Sequence, residues 1–322
     1  MKQAILTDHG FELRRMPEPQ CGMGEALVRV LANGICAGDL SKYRDVSGRA
    51  GRELLLGHEA CGEILAVGPD VTAFHPGDRV AGLGGFFAER HAFPVDRLVR
   101  LPDAVQPEWA LGEPVACCVH AMGRARINPG DRVAILGCGF MGLVCLQLAR
   151  HLGAGAITAI DPAPERLTIA ARLGAAPVLS PDAADPARLR AMNRDFEGDY
   201  DVVIEAAGNQ AALDAAGFLV RQHGVLLIVG HHHTGGGLRT VYMNQWNVKA
   251  IDVVNGHVRR NDEKRDAMRA GLALAASGSL ALEPLVTCYP FSQIERAFQE
   301  CAASPDKVIK GVVTMTKKCG TQ

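Results

Sequence analysis

The residues with the clearest chemistry lie in the first third of the chain, around the run Gly57-His58-Glu59. Cys36 lies upstream of this run and Glu113 lies downstream. The thiolate of Cys36, the imidazole of His58 and the carboxylate of Glu113 are ligand types that zinc prefers, and three ligands leave the fourth tetrahedral position open. An open position allows the metal to act as a Lewis acid on a substrate oxygen. These residues therefore predict one catalytic zinc ion.

Two further residues stand at spacings that suit this site. Asp39, three residues after Cys36, is a candidate acceptor for the second ring N–H of His58, which would fix the tautomer of the imidazole. Cys117 lies four residues after Glu113 and shares its face of a helix, so Cys117 is an alternative or additional ligand.

A glycine-rich motif predicts a dinucleotide site. Residues 137–142 (GCGFMG) follow the apolar run 133–136 and precede a helical segment. In this setting the glycines permit a tight turn, close approach of the backbone to a pyrophosphate, and packing of the helix on the strand. Zinc together with a nicotinamide coenzyme predicts hydride transfer to or from an alcohol carbon.

Asp161 ends the next predicted strand and bears on the choice of coenzyme. An acid at this position bonds the ribose 2′-hydroxyl and repels a 2′-phosphate, which favours NAD over NADP. The alternative is that Asp161 only caps the helix that follows Pro162. The order of strand, turn and helix favours the coenzyme role.

Composition excludes several classes of function. The chain has 322 residues, 48% of them hydrophobic and 21% charged, which suits two globular domains. A net charge of −1 offers no basic surface for nucleic acid or membrane lipids. The first residues lack the apolar core of a signal peptide, and no apolar run approaches the roughly 20 residues of a membrane span. The ten cysteines form no Cys-x-x-Cys pair, so we expect reduced thiols and a cytoplasmic protein.

The pattern of elements changes twice along the chain. Residues 1–115 contain short strand-like runs separated by Gly- and Pro-rich turns. Residues 116–256 alternate strands with helices, which is typical of a parallel sheet covered on both faces. Residues 257–322 contain two helical segments and a final strand. The predicted strands of the middle region are 133–136, 156–160, 201–205, 225–229 and 250–254, and its predicted helices are 141–152, 163–173 and 209–221.

Several motifs together resemble one family. The signature Gly-His-Glu-x-x-Gly-x5-Gly-x-x-Val is matched at every position from Gly57 to Val71, and residues 34–39 match the first-ligand motif. Over essentially its whole length the chain resembles the zinc-dependent alcohol and polyol branch of the medium-chain dehydrogenase/reductase superfamily. The resemblance implies an α/β fold with a Rossmann doubly wound parallel sheet plus a mostly β GroES-like catalytic domain. The catalytic domain would comprise residues 1–115, with 257–322 returning to it, and the Rossmann domain residues 116–256.

The resemblance also implies roles for single residues. Glu113-Pro114 matches the third-ligand motif of the sorbitol dehydrogenase type, which favours Glu113 over Cys117. Glu59 is implied as an alternate carboxylate that ligates the metal transiently. Lys310 matches a basic position that meets the coenzyme pyrophosphate. The loop 229–233 is implied to approach the nicotinamide ring, and its three consecutive histidines do not converge on one face to bind a metal.

Three departures from the family pattern affect the chemistry. The lobe with four closely spaced cysteines that often holds a structural zinc is missing after residue 80, so we expect no structural zinc. Gly38 stands where the family usually has Ser or Thr, and Ser41 stands where it commonly has His. Because these two changes interrupt the usual proton relay, we expect the alcohol proton to leave through water, with Ser41 as one way-station.

The sequence therefore predicts two sets of site residues. Those expected at the metal or in catalysis are Cys36, Asp39, Ser41, His58, Glu59 and Glu113, with Cys117 as an alternate ligand. Those expected to bind NAD are Gly137, Gly139, Phe140, Met141, Gly142, Asp161, Arg166, Val229, His231 and Lys310.

The predicted function is transfer of a hydride between NAD and a secondary alcohol of a polyol, sugar or cyclitol. We expect one catalytic zinc per chain and a homodimer or homotetramer. One alternative is a zinc-free, NADPH-dependent quinone or enone reductase of the same fold, which the intact metal motifs and Asp161 argue against. The other is a non-catalytic binding protein that keeps the fold, for which Gly38 and Ser41 are the argument.

Overall fold

The computed structural model describes residues 1–45, 48, 50–191 and 196–315. The chain divides into two compact units. One unit contains Met1–Ala116 together with the chain from Arg259 onward, and the other contains Cys117–Val258. These divisions lie one residue and two residues from the boundaries expected at 115 and 256. In the described ranges no helix has the length and apolar character that a bilayer span requires.

The elements are numbered in chain order. The strands are β1 (Lys2–Thr7), β2 (Gly10–Arg15), β3 (Glu25–Gly34), β4 (Ala60–Val67), β5 (Arg79–Gly82), β6 (Arg90–Pro94), β7 (Leu98–Arg100), β8 (Arg132–Leu136), β9 (Ala156–Ile160), β10 (Val178–Leu179), β11 (Tyr200–Glu205), β12 (Val220–Ile228), β13 (Asp252–Asn255), β14 (Val286–Pro290) and β15 (Lys310–Thr314). The helices are α1 (Ala37–Arg44), α2 (Gly112–Ala125), α3 (Phe140–His151), α4 (Pro164–Arg172), α5 (Pro186–Ala191), α6 (Gln210–Leu219), α7 (Met243–Lys249), α8 (Asn261–Ala276) and α9 (Ile294–Ala303).

The first unit is built on a mostly antiparallel sheet. Its strand order is β14-β15-β3-β4-β5-β7, with β6 also paired to β3. Alternation along β3 explains its place in the sheet, because Val28 and Val30 are buried while Arg29 points outward and pairs with Glu63 of β4 at 2.7 Å. The late strand β15 runs antiparallel to β3, and Ile35 donates a hydrogen bond to the carbonyl of Gly311 at 2.9 Å. This pairing fixes the backbone that leads into Cys36.

The second unit is a parallel sheet in the order β10-β9-β8-β11-β12-β13, with helices between successive strands. Residues 133–136 of β8 are buried, as expected for a strand covered on both faces. The expected doubly wound sheet is therefore confirmed. Some boundaries differ. The helix predicted over 209–221 ends at Leu219, because Val220 instead pairs with Tyr200 and begins β12, which therefore starts before the predicted 225. The strand predicted at 250–254 begins at Asp252.

A buried lysine closes the C-terminal end of α6. The side chain of Lys249 is fully buried, and its Nζ donates hydrogen bonds to the carbonyls of Gly217 at 2.8 Å and Phe218 at 3.0 Å. The last carbonyls of a helix have no intrahelical donor, so the ammonium takes the place of the missing N–H groups. Burial lowers the pKa of Lys249 to about 8.

Candidate metal centre and coenzyme site

Cys36 is fixed by the helix that it caps. It adopts an extended conformation before α1, its Sγ accepts a hydrogen bond from the N–H of Gly38 at 3.4 Å, and Asp39 Oδ2 accepts one from the N–H of Cys36 at 3.1 Å. This reciprocal arrangement is a capping box with a thiol in the place of the usual hydroxyl. The sulfur is consequently held at the end of β3 with little freedom.

Asp39 joins the two segments that carry the first ligands. Its side chain is 3% exposed, and its Oδ1 accepts a hydrogen bond from the N–H of Gly57 at 3.3 Å. The same oxygen lies 3.7 Å from His58 Nδ1, which is too long for the direct hydrogen bond expected from the sequence. In this structure Asp39 therefore positions His58 through the backbone of Gly57. Ser41 lies in the second turn of α1 and is half-buried.

Cys36, His58 and Glu59 form a candidate metal-binding group. One ligand atom from each, the Sγ, a ring nitrogen and a carboxylate oxygen, lies within 4.8 Å of the other two. A hydrogen bond to Cys36 raises the pKa of His58 to about 9, against the lowering effect of burial, and nearby Glu59 adds to the rise. The neighbours of His58 thus favour the protonated form of its imidazole. The same donor set fits zinc, which would replace that proton.

Glu59 is held by a lysine from the far end of the chain. Lys310, the first residue of β15, has its Nζ 2.7 Å from Glu59 Oε1 and 2.6 Å from Oε2, and the two side chains are 7% and 1% exposed. Burial raises the pKa of Glu59, Lys310 opposes that rise, and the charge of Glu113 adds to it. Lys310, which the sequence assigns to the coenzyme pyrophosphate, is thus the ion-pair partner of the carboxylate in the metal-binding group.

Glu113 is not part of that group. Its Oε1 lies 2.8 Å from the Nζ of Lys264 on α8, and the two side chains are 15% and 20% exposed. The structure therefore differs from the preferred sequence assignment: it brings Glu59, the expected alternate, to Cys36 and His58, while Glu113 pairs with a lysine. Cys117, the other alternate, belongs to the second unit.

The glycine motif forms the turn between β8 and α3. Gly137 has a φ of +95°, which a residue with a side chain rarely adopts. A Cβ on Gly142 would lie 1.8 Å from the carbonyl oxygen of Gly137, so only glycine permits this approach of helix and strand. Gly139 caps α3, and a Cβ there would meet no protein atom within 4 Å. Open space in front of a helix N-terminus suits a pyrophosphate. Phe140 and Met141 are the first residues of α3.

Asp161 makes hydrogen bonds to the glycine turn and to the start of α4. Its carboxylate is buried, Oδ2 accepts from the N–H of Cys138 at 2.7 Å, and Oδ1 accepts from the N–H of Ala163 at 2.9 Å. The first bond ties the carboxylate to the glycine motif. The second is made to Ala163, the N-cap residue of α4, and α4 itself has no side-chain cap, so the capping role considered as the alternative is not observed. Arg166 lies beside it, with Nη1 3.7 Å from Oδ2.

The loop after β12 is anchored by a chain of hydrogen bonds that links Glu205, His232 and Arg239. Glu205 is fully buried at the end of β11, its Oε2 lies 2.8 Å from His232 Nε2, and Arg239 Nε donates to His232 Nδ1 at 2.9 Å. Because the arginine can only donate, Nδ1 of His232 accepts, and Nε2 is the ring nitrogen that faces Glu205. The N–H groups of Val229 and Gly230 both donate to the carbonyl of Glu205 at 2.8 Å.

The other two histidines of this loop lie beside each other. The ring of His231 lies 5.0 Å from that of His233 and 5.8 Å from that of His257. In the parts of the chain that the structure describes, these rings do not form a group with converging metal ligands. Sequence reasoning did not single out Glu205 or Arg239; an acidic residue at the end of a buried strand was the available signal.

With this geometry established, the chain can be compared with known proteins. The family description "alcohol dehydrogenase GroES-like domain" matches residues 22–103, and "zinc-binding dehydrogenase" matches residues 141–276. Sorbitol dehydrogenase from Bacillus subtilis is 33% identical over 270 residues, which cover 71% of this chain and 75% of that protein. Sorbitol dehydrogenase from Gallus gallus is 30% identical over 330 residues, which cover 91% of this chain and 90% of that protein. This chain belongs to the zinc-dependent medium-chain dehydrogenase/reductase family.

The fold agrees with a solved member of this family. Alcohol dehydrogenase TADH from Thermus sp. ATN1 superposes with a TM-score of 0.82 and 28% identity, covering 98% of this chain and 99% of that chain. The expected α/β class, a Rossmann sheet plus a GroES-like domain, is confirmed for this medium-chain dehydrogenase. Its membership also identifies it as an oxidoreductase.

Proposed function

We propose that this medium-chain dehydrogenase uses one zinc ion and NAD to oxidise a secondary hydroxyl of a polyol, sugar or cyclitol. The observation that carries the proposal is the convergence of Cys36, His58 and Glu59, whose ligand atoms lie within 4.8 Å of one another. Three protein ligands leave one tetrahedral position for the substrate oxygen. A zinc-free reductase would have no use for this donor set.

At the metal centre the protein would supply ligands and hold them in place. A bound zinc ion supplies Lewis acidity, which lowers the pKa of a substrate hydroxyl towards neutrality. Cys36 and Glu59 would supply the anionic ligands, with the charge of Glu59 shared between the dication and the ammonium of Lys310. Lys310 orients Glu59, and Asp39 fixes the segments of Cys36 and His58. His58 must release its proton for the metal to bind.

At the coenzyme site the backbone would do most of the binding. The N-terminus of α3 and the open space at Gly139 support pyrophosphate binding. The carboxylate of Asp161, already fixed by the N–H groups of Cys138 and Ala163, supports recognition of a ribose 2′-hydroxyl. The hydrogen bonds from Glu205 through His232 to Arg239 would keep the loop after β12 in one conformation. This loop follows the carboxyl end of a strand, where ligands of such sheets bind.

Two features support the remaining parts of the proposal. The likeness to sorbitol dehydrogenases over most of the chain supports a polyol or sugar substrate. With Gly38 and Ser41 in the relay positions, we propose that the substrate proton leaves through water and that no protein imidazole is required there. We also propose a cytoplasmic homodimer or homotetramer with reduced cysteines.

The test is NADH formation across a panel of polyols, sugar alcohols and cyclitols, with zinc content measured on the same samples. We expect turnover with at least one secondary alcohol. In Cys36→Ala we expect metal and activity to be lost together. A Cys36→Ala protein that is folded and retains its zinc would show that the proposed ligand set is wrong.

A further inference from the structure

Two carboxylates accompany the proposed metal centre, and each has its own lysine. Glu59 pairs with Lys310, and Glu113 pairs with Lys264 at 2.8 Å. All four residues belong to the first unit. The charge of Glu113 raises the pKa of Glu59, and Glu113 is not a member of the metal-binding group.

The two lysines come from different parts of the chain, and only one of the carboxylates that they bind belongs to the metal-binding group. Lys310 holds a carboxylate that converges with Cys36 and His58. Lys264, in the first half of α8, holds a carboxylate that does not. The ion pair with Lys310 holds Glu59 within the metal-binding group, whereas the ion pair with Lys264 holds Glu113 outside it. Without the ammonium of Lys264, a nearby divalent cation would be the strongest partner for the carboxylate of Glu113.

We propose that Lys264 is a positioning residue that holds Glu113 away from the metal and thereby keeps the fourth coordination position open for substrate. This inference rests on the proposed zinc function. Zinc sites closed by four protein ligands are structural, and those with three protein ligands are catalytic. A chain with Cys36, His58, Glu59 and Glu113 carries enough ligands for a closed site. With Lys264 bound to Glu113 the site has three protein ligands and stays open, and without Lys264 it would be closed by a fourth.

The test uses Co²⁺ in place of zinc, because its absorption spectrum reports the ligands around the metal. Metal affinity is measured by competition with a chelator, and access to the fourth position is measured by the spectral change on adding thiocyanate. Neither readout requires turnover. The variants are Lys264→Gln, Lys264→Arg, Glu113→Gln and the double variant Lys264→Gln/Glu113→Gln. Arg269→Gln, on the exposed side of the same helix, is the matched control for loss of one positive charge.

We expect Lys264→Gln to bind Co²⁺ about tenfold more tightly or better and to lose its response to thiocyanate, because Glu113 becomes the fourth ligand. The double variant should recover the affinity and the response of the unsubstituted protein. Lys264→Arg and Arg269→Gln should behave like the unsubstituted protein.

Three outcomes would overturn the proposal. One is a Lys264→Gln protein with unchanged affinity and unchanged thiocyanate response. Another is tighter binding that persists in the double variant, which would reflect loss of charge alone. The third is loss of metal from Glu113→Gln in the otherwise unsubstituted protein, which would make Glu113 a resident ligand and does not depend on whether Lys264→Gln folds. Failure of the unsubstituted protein to bind Co²⁺ would instead overturn the proposed function itself.

Discussion

Coenzyme preference can be tested at Asp161, where the structure dictates which substitution is informative. Asp161→Ala would leave the N–H groups of Cys138 and Ala163 without their acceptor, at about 1–3 kcal/mol for each buried group. That variant would disturb the glycine turn as well as remove the negative charge. Asp161→Asn removes the charge and keeps one acceptor oxygen, so it separates the two effects.

The size of the preference follows from the charges around this carboxylate. Two like charges 4 Å apart repel each other by about 4 kcal/mol at an effective dielectric constant near 20. Arg166, 3.7 Å from Asp161, offsets part of the repulsion that a 2′-phosphate would meet. A net penalty of about 2.7 kcal/mol corresponds to a roughly 100-fold preference for NAD in kcat/KM. We expect Asp161→Asn to reduce this ratio to about 10-fold or less.

The assay compares kcat/KM for NAD and NADP with one alcohol substrate, in the unsubstituted enzyme and in Asp161→Asn. Asp214→Asn, which removes a carboxylate from α6 of the same unit, is the control and should leave the ratio unchanged. Equal values for the two coenzymes, or a ratio that Asp161→Asn does not alter, would refute the reasoning. The carboxylate would then serve only the protein's own N–H groups.

Three further predictions concern the metal, the proton and the buried lysine. Elemental analysis of chelator-washed protein should find one zinc per chain, since the four-cysteine lobe is missing; two tightly held zinc ions would contradict this. Ser41→Ala should lower kcat only modestly, because water can occupy the vacated space, and a thousandfold loss (about 4 kcal/mol) with zinc and NAD binding intact would show an essential relay. Because the pKa of Lys249 is lowered from 10.5 to about 8, the unfolded chain binds more protons between these pH values, and stability should rise with pH there. In urea titrations, the free energy of unfolding of the unsubstituted protein minus that of Lys249→Met should increase by up to about 3 kcal/mol from pH 7 to pH 10.5. A difference that is constant with pH would contradict the assignment.

The ligand-bearing segments could be predicted from the sequence because their signals are local. The capping of α1 by Cys36 and the run Gly57-His58-Glu59 each depend on residues a few positions apart. The alternation of strands and helices likewise predicts the parallel sheet, since each element carries its own periodicity. The exact ends of elements were predicted less well: α6 ends at Leu219, and β12 begins at Val220 rather than at 225, because pairing of Val220 with β11 outweighs local helical preference.

The choice between two carboxylates could not be predicted in this way. Glu59 and Glu113 are both acidic residues in matched motifs, and what distinguishes them is the lysine that each one meets. Lys310 and Lys264 lie about 250 and 150 residues further along the chain. Spacing rules reach only across one helix or one hairpin, so contacts of this separation appear only in the folded structure.

The pairing of β15 with β3 also bears on the order in which the parts of the molecule fold during synthesis. Cys36, His58 and Glu59 leave the ribosome long before Lys310, whereas Cys117–Val258 is one continuous stretch that can fold as soon as it has emerged. Until β15 arrives, the strand leading to Cys36 lacks this neighbour and Glu59 lacks the ammonium of Lys310. The second unit is therefore expected to fold first, and the proposed metal centre is completed only at the end of synthesis. Metal loading would then be one of the last steps in maturation.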